Sequence, residues 1–175
     1  MIITLKDGSK KEYSEAKSVI DVAFDISEGL ARAACAGEVD GEVVDLRTVV
    51  DHDAAVNILT AKDEKGLAAL RHTTSHVMAQ AVKRLYPNTK LAIGPSIADG
   101  FYYDMEFETP LTSDDFEKIE AEMKKIVKED LKLEQFEMAP ADAIKYLKEI
   151  DEPYKVELCE EHAGKNEPIS FYKQG

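Results

Sequence analysis

The stretch LAALRHTTSHVMAQAVKRLY, residues 67–86, decides how the rest of the chain is read. It is long enough for several helical turns, and it carries His72 and His76 four residues apart. At 100° per residue the two histidines fall roughly 40° apart, while Leu70, Thr74, Val77, Met78, Ala81 and Leu85 centre roughly 170° away. The histidines therefore lie off the main apolar stripe. They align with Ala68, Ala69, Ala79 and Lys83, a small-residue face suited to flooring a cleft. A structural histidine pair is the alternative that geometry leaves open. A zinc-protease helix is not, because that chemistry needs H-E-x-x-H and Thr73 follows His72.

Working outward, Pro87 ends this helix, since its ring disfavours helical backbone at Tyr86. Residues 90–97 and 101–107 read as strands around a turn at Asp99-Gly100. Thr112 with Asp115 three residues on resembles a capping box and opens a helix whose Phe116, Ile119, Met123, Ile126 and Val127 share one side. Residues 133–138 suggest a strand, Pro140 opens a short helix through Glu149, residues 154–158 read as extended, and residues 169–172 as a final strand. Upstream, residues 61–66 are a polar linker and the best domain boundary. Before it, Ile2 to Leu5 and residues 10–13 form a hairpin at Asp7-Gly8, residues 18–26 a helix capped by Ser14 or Ser18, residues 33–44 a strand pair broken at Asp40-Gly41, and residues 55–60 a last strand. The fold class is α+β, with a small sheet crossed by one helix in the first 60 residues.

Composition narrows the function. A 44% apolar share in 175 residues suffices for a core. The net charge of −13, from 35 acidic and 22 basic residues, argues against broad phosphate-backbone binding, so any nucleic-acid contact is local and DNA binding is not expected. Cys35 and Cys159 form no C-x-x-C pair, which favours a reducing compartment. No signal peptide opens the chain, and no apolar run reaches the roughly 20 residues of a membrane span. A cytoplasmic protein without membrane contact is expected. His52, between Asp51 and Asp53, reads as a solvated loop residue.

The run RHTTSHVMAQAVKRLYPNTKLAIGPSIADGFYYDMEF, followed by LTSDDFEKIEAEMKKIV and later EPYKVEL, resembles the amino-terminal editing domain of bacterial threonyl-tRNA synthetases. Residues 1–61 resemble the ubiquitin-like β-grasp module, TGS, that precedes it, and residues 62–175 the editing domain itself. A lone H-x-x-x-H is a weak signal; with IGP, GFYYD and PYK at these separations it becomes specific.

The resemblance implies that the editing domain clears serine from threonine tRNA by hydrolysing the ester at the terminal adenosine. It places catalytic roles on His72, His76 and Lys155, and serine-pocket roles on Ile93, Gly94, Pro95, Tyr102, Tyr103 and Asp104. Tyr102 and Tyr103, adjacent on an extended segment, point to opposite faces, and Tyr103 is the one expected in the pocket. The family's C-x-G-P-H-type motif is expected past Gly175, which leaves the domain incomplete at its carboxyl end. Cys159 and His162 have the wrong spacing to replace it. A zinc site from His72, His76, Cys159 and His162 has suitable ligand types, but the threonine-type resemblance favours no metal and no cofactor in this stretch. ATP, magnesium and zinc are implied only for a class II catalytic core outside it, which is also expected to make a homodimer. A binding module is the alternative, since TGS domains also accompany regulatory proteins.

Overall fold

Two Asp-Gly turns set the first sheet. In the computed structural model, which describes residues 1–162 and 167–174, β1 (Ile2–Leu5) turns at Gly8 (φ 82°) into β2 (Lys10–Glu12), antiparallel with Ile3 opposite Lys11. β3 (Lys17–Ser18) leads into α1 (Val19–Ile26), where the Ser18 hydroxyl accepts the Asp21 N–H as an N-cap. A second helix, α2 (Glu28–Ala33), follows at once, capped by Ser27, whose Oγ accepts the Leu30 N–H at 3.1 Å. The periodicity reading gives no helix there: six residues containing Gly29 carry no apolar repeat, and the cap starts the helix. β4 (Ala34–Val39) and β5 (Glu42–Val44) flank Asp40 and Gly41, both at positive φ (49° and 91°), the backbone a two-residue hairpin of this hand requires.

β6 (Val49–Val50) pairs with β3, and β7 (Ala54–Thr60) enters the centre of the sheet parallel to β1, giving the order β2-β1-β7-β4-β5. Ile3, Val19, Val22, Ala23, Val50, Val56 and Ile58 are buried between sheet and α1. Gly37 lets α1 seat closely, because a Cβ there would lie 2.5 Å from a Val19 methyl.

α3 (Glu64–Leu85) begins inside the segment read as a linker. Asp63 accepts the Thr60 N–H at 2.8 Å, and the Leu67 N–H bonds back to Asp63 at 2.8 Å, so the first turn forms before Leu67. The chain packs as two units, Met1–Thr73 with Ser96–Gly100, and Thr74–Pro95 with the residues from Phe101 onward.

After α3 the expected long strands are broken into β8 (Lys90–Leu91), β9 (Ser96–Ile97), β10 (Gly100–Phe101) and β11 (Met105–Glu106). The reason is a one-residue slip. β8 and β11 pair Leu91 with Met105, but the Asp104 carbonyl takes the Ala92 N–H while the Asp104 N–H bonds the Ile93 carbonyl. Two successive residues thus oppose one, which is a β-bulge.

α4 (Ser113–Glu129) starts where its capping residues place it: the Asp115 carboxylate accepts both the N–H and the hydroxyl of Thr112, at 2.9 and 2.8 Å. Its buried stripe is narrower than read. Ile119 and Ile126 pack with Val77, Ala81 and Val82 of α3, whereas Phe116 and Val127 are exposed.

β12 (Leu133–Met138) and α5 (Pro140–Glu149) follow their expected bounds. Residues 154–158, read as extended, instead belong to α6 (Pro153–His162), which the Val156 N–H to Glu152 carbonyl bond opens. β13 (Ile169–Gln174) pairs antiparallel with β12 from Leu133↔Gln174 to Met138↔Ile169. Leu147, Val156 and Cys159 form the core below, with Phe171 stacked on Phe136 at 5.3 Å between ring centroids. Among the described residues no helix is long and apolar enough to cross a membrane.

Candidate active site

The second half of α3 is buried over a wider arc than its apolar stripe. Val77, Ala81 and Val82 are covered, and so are Ser75 and Ala79, which bring the buried edge round toward the histidines. Ser75 is fully buried, and its hydroxyl donates to the Gly94 carbonyl at 3.0 Å. That bond ties the IGP segment to the helix. The bulge at Ala92 and Ile93 then sets the IGP segment beside the residues 102–104, with the Tyr102 N–H directed at the Pro95 carbonyl.

Gly94 and Tyr103 are in direct contact. A Cβ at position 94 would stand 2.3 Å from Tyr103 Cδ2 and 2.5 Å from Cε2, so only a bare backbone lets the ring lie there. The Tyr103 ring also meets His76 edge-on, with centroids 6.3 Å apart and planes at 81°. His76 itself is exposed.

Lys155 and Tyr103 share an electrostatic neighbour. Burial pushes the Lys155 ammonium below the usual lysine range; the Glu152 carboxylate opposes that and Lys83 adds to it. Burial pushes the Tyr103 phenol up, and the charge of Glu152 adds to the rise. Glu152 is only 4% exposed, with Oε1 3.0 Å from Lys83 Nζ and Oε2 accepting the Leu91 N–H at 3.3 Å. His76, Gly94 and Tyr103 therefore belong to one neighbourhood of the second unit, tied to α3 by Ser75, and the charge of Glu152 acts on both Tyr103 and Lys155.

The remaining site residues fall elsewhere. Ile93 and Asp104 are exposed and bond each other through their backbones; with Pro95 they act as rails that set Gly94 and Tyr103. Tyr102 is 44% exposed. His72 is exposed on the part of α3 that packs with the first unit. Cys159 is enclosed by apolar side chains that push its thiol up, an environment that favours the protonated form over a metal-binding thiolate; the side chain of His162 lies outside the described residues. His52 is exposed between Asp51 and Asp40, which raise its pKa.

Sequence reasoning missed Ser75, Lys83 and Glu152 as site residues. For Glu152 a signal existed: an acidic residue directly before Pro153 marks a helix start, with proline at the first helical position.

Residues 1–60 match the TGS domain family. Over 173 residues, 99% of this chain, the sequence is 58% identical to a threonine–tRNA ligase of Acetivibrio thermocellus; it is 53% identical over all 175 residues to one of Caldanaerobacter subterraneus and 54% identical over 173 to one of Clostridioides difficile. The chain matches the amino-terminal region of threonine–tRNA ligases. It spans 27% of the length of each of these relatives. The β-grasp order of the first sheet agrees with the TGS match, and the histidine helix, IGP segment and PYK helix all lie within the stretch shared with the ligases.

Proposed function

We propose that this chain is the proofreading region of a threonine–tRNA ligase, and that its second unit hydrolyses the ester joining serine to the terminal adenosine of threonine tRNA. The observation that carries this reading is the placement of an exposed imidazole, His76, against Tyr103, whose ring lies on Gly94, with a half-buried cation, Lys155, in the same unit.

Ester hydrolysis needs a base for water and positive charge where the carbonyl oxygen becomes an oxyanion. Water adds to the ester carbonyl and gives its proton to His76. The oxyanion forms beside Lys155. Collapse expels the ribose oxygen, which takes back the proton held by His76, and leaves free serine and intact tRNA. The ring of Tyr103 on Gly94 walls the pocket against the extra methyl of threonine. A second site is needed because one methyl-sized difference gives only about 1–3 kcal/mol of discrimination at the first. With a net charge of −13, contact with tRNA is confined to its 3′ end. Ligation of threonine with ATP, and the magnesium, zinc and dimer contacts that go with it, are assigned to the longer cytoplasmic protein.

The test measures release of labelled serine and threonine from threonine tRNA by the chain, alone and joined to the remaining length of the Acetivibrio thermocellus relative. Serine is released and threonine spared; His76→Ala and Lys155→Ala each slow release by about 10²-fold or more, the scale of a lost acid–base or oxyanion group. Binding of tRNA with hydrolysis of neither ester would instead favour a binding module.

A further inference from the structure

We propose that Glu152 is the positioning residue of this site, a buried carboxylate that fixes the surrounding backbone with one oxygen and Lys83 with the other while holding the charged amine of Lys155 in its field. This rests on the hydrolytic reading above and names a residue that reading does not require.

The geometry is specific. Glu152 stands immediately ahead of α6, three residues before Lys155, and the Val156 N–H bonds back to its carbonyl at 3.1 Å. Its Oε2 accepts the Leu91 N–H at 3.3 Å, which anchors β8, and its Oε1 lies 3.0 Å from Lys83 Nζ. Lys83 is fixed from its other side by the Thr89 carbonyl at 3.0 Å. A carboxylate buried only for stability is neutralised by one cation, and Lys83 already does this. Lys155 is a second cation that feels the same carboxylate. Glu152 is paired at contact with Lys83, so its charge reaches Lys155 only from beyond ion-pair distance, which leaves the Lys155 ammonium for an oxyanion that exists only during reaction. The charged groups acting on Lys155 are Glu152, ahead of its own helix, and Lys83 from α3, while Tyr103 feels the same carboxylate.

Two substitutions give opposite results if this is right. In the 175-residue chain, lysine side-chain NMR follows the titration of Lys155. Glu152→Gln keeps an acceptor for Leu91 but removes the charge, so the Lys155 midpoint falls by about one pH unit, the scale of one lost opposite charge nearby. Lys83→Met removes the competing cation, so the midpoint rises. Where serine release is measured, the alkaline limb of kcat moves in the same directions, with the larger change in kcat than in KM. If Glu152→Gln fails to fold, the sign of the Lys83→Met shift decides. Midpoints that stay put, or move together, overturn the proposal. Midpoints that move as expected, with no serine released by the version joined to the remaining length of the Acetivibrio thermocellus relative, support the Glu152 role and refute the hydrolytic reading alone.

Discussion

Replacing Gly94 by alanine tests whether the contact between the IGP segment and Tyr103 is as close as the structure has it. The added methyl would stand 2.3, 2.5 and 2.9 Å from Cδ2, Cε2 and Cγ of the ring. Gly94 is not among the positive-φ glycines, so the penalty is steric and not conformational. The backbone cannot easily give way: the Ser75 hydroxyl holds the Gly94 carbonyl at 3.0 Å, and the Asp104 N–H holds Ile93 at 2.8 Å. The ring must move, and it is half-buried with an edge on His76. Overpacking of this kind costs about 1–3 kcal/mol. For a unit of this size each kcal/mol lowers Tm by about 4–8 °C, so the unfolding transition of the second unit falls by about 4 °C or more when followed by circular dichroism. Serine release falls with it, because the His76 contact is displaced. The decisive comparison repeats Gly94→Ala in a Tyr103→Ala background, where the methyl has no ring to meet and its cost drops to a few tenths of a kcal/mol. Equal loss in both backgrounds would refute the contact.

Other consequences are local. Ser75→Ala leaves the Gly94 carbonyl without its buried hydroxyl donor and costs about 1 kcal/mol, read from urea midpoints. Asp115→Asn should be destabilising at pH 6, with the gap beginning to narrow only below the ordinary carboxyl value of 3.8 and closing in stronger acid. The Thr112 N–H and hydroxyl, Tyr86 and Lys118 hold the Asp115 carboxyl well below its ordinary value of 3.8, so its contribution is present above that value and is lost as the pH falls through the folded one; a gap between variant and parent that does not narrow in acid would contradict this. Burial pushes up both thiols, and Cys159 is the more enclosed, so iodoacetamide should reach Cys35 first and Cys159 only in denaturant.

What was legible in the sequence was mostly local chemistry. Asp40-Gly41 and Asp7-Gly8 name their turns, Thr112 with Asp115 names a helix start, and Pro140 another, because each is decided by residues within a few positions of one another. The bulge at Ala92 and Ile93 was not legible, since a one-residue slip depends on which partner each strand meets and on the Ser75 bond that holds the Gly94 carbonyl. The costliest misreading was residues 154–158. Tyr154, Val156 and Leu158 alternate as a strand would, and alternation alone favours an extended segment. Burial instead falls on Glu152, Val156 and Cys159, at spacings of four and three, which is a helix. The error matters for chemistry as well as for topology. As a strand, residues 154–158 would turn Val156 and Lys155 to opposite faces; as the first turns of α6, opened by the Val156 N–H bond to the Glu152 carbonyl, they bring the lysine that the PYK motif singles out within the field of a buried carboxylate.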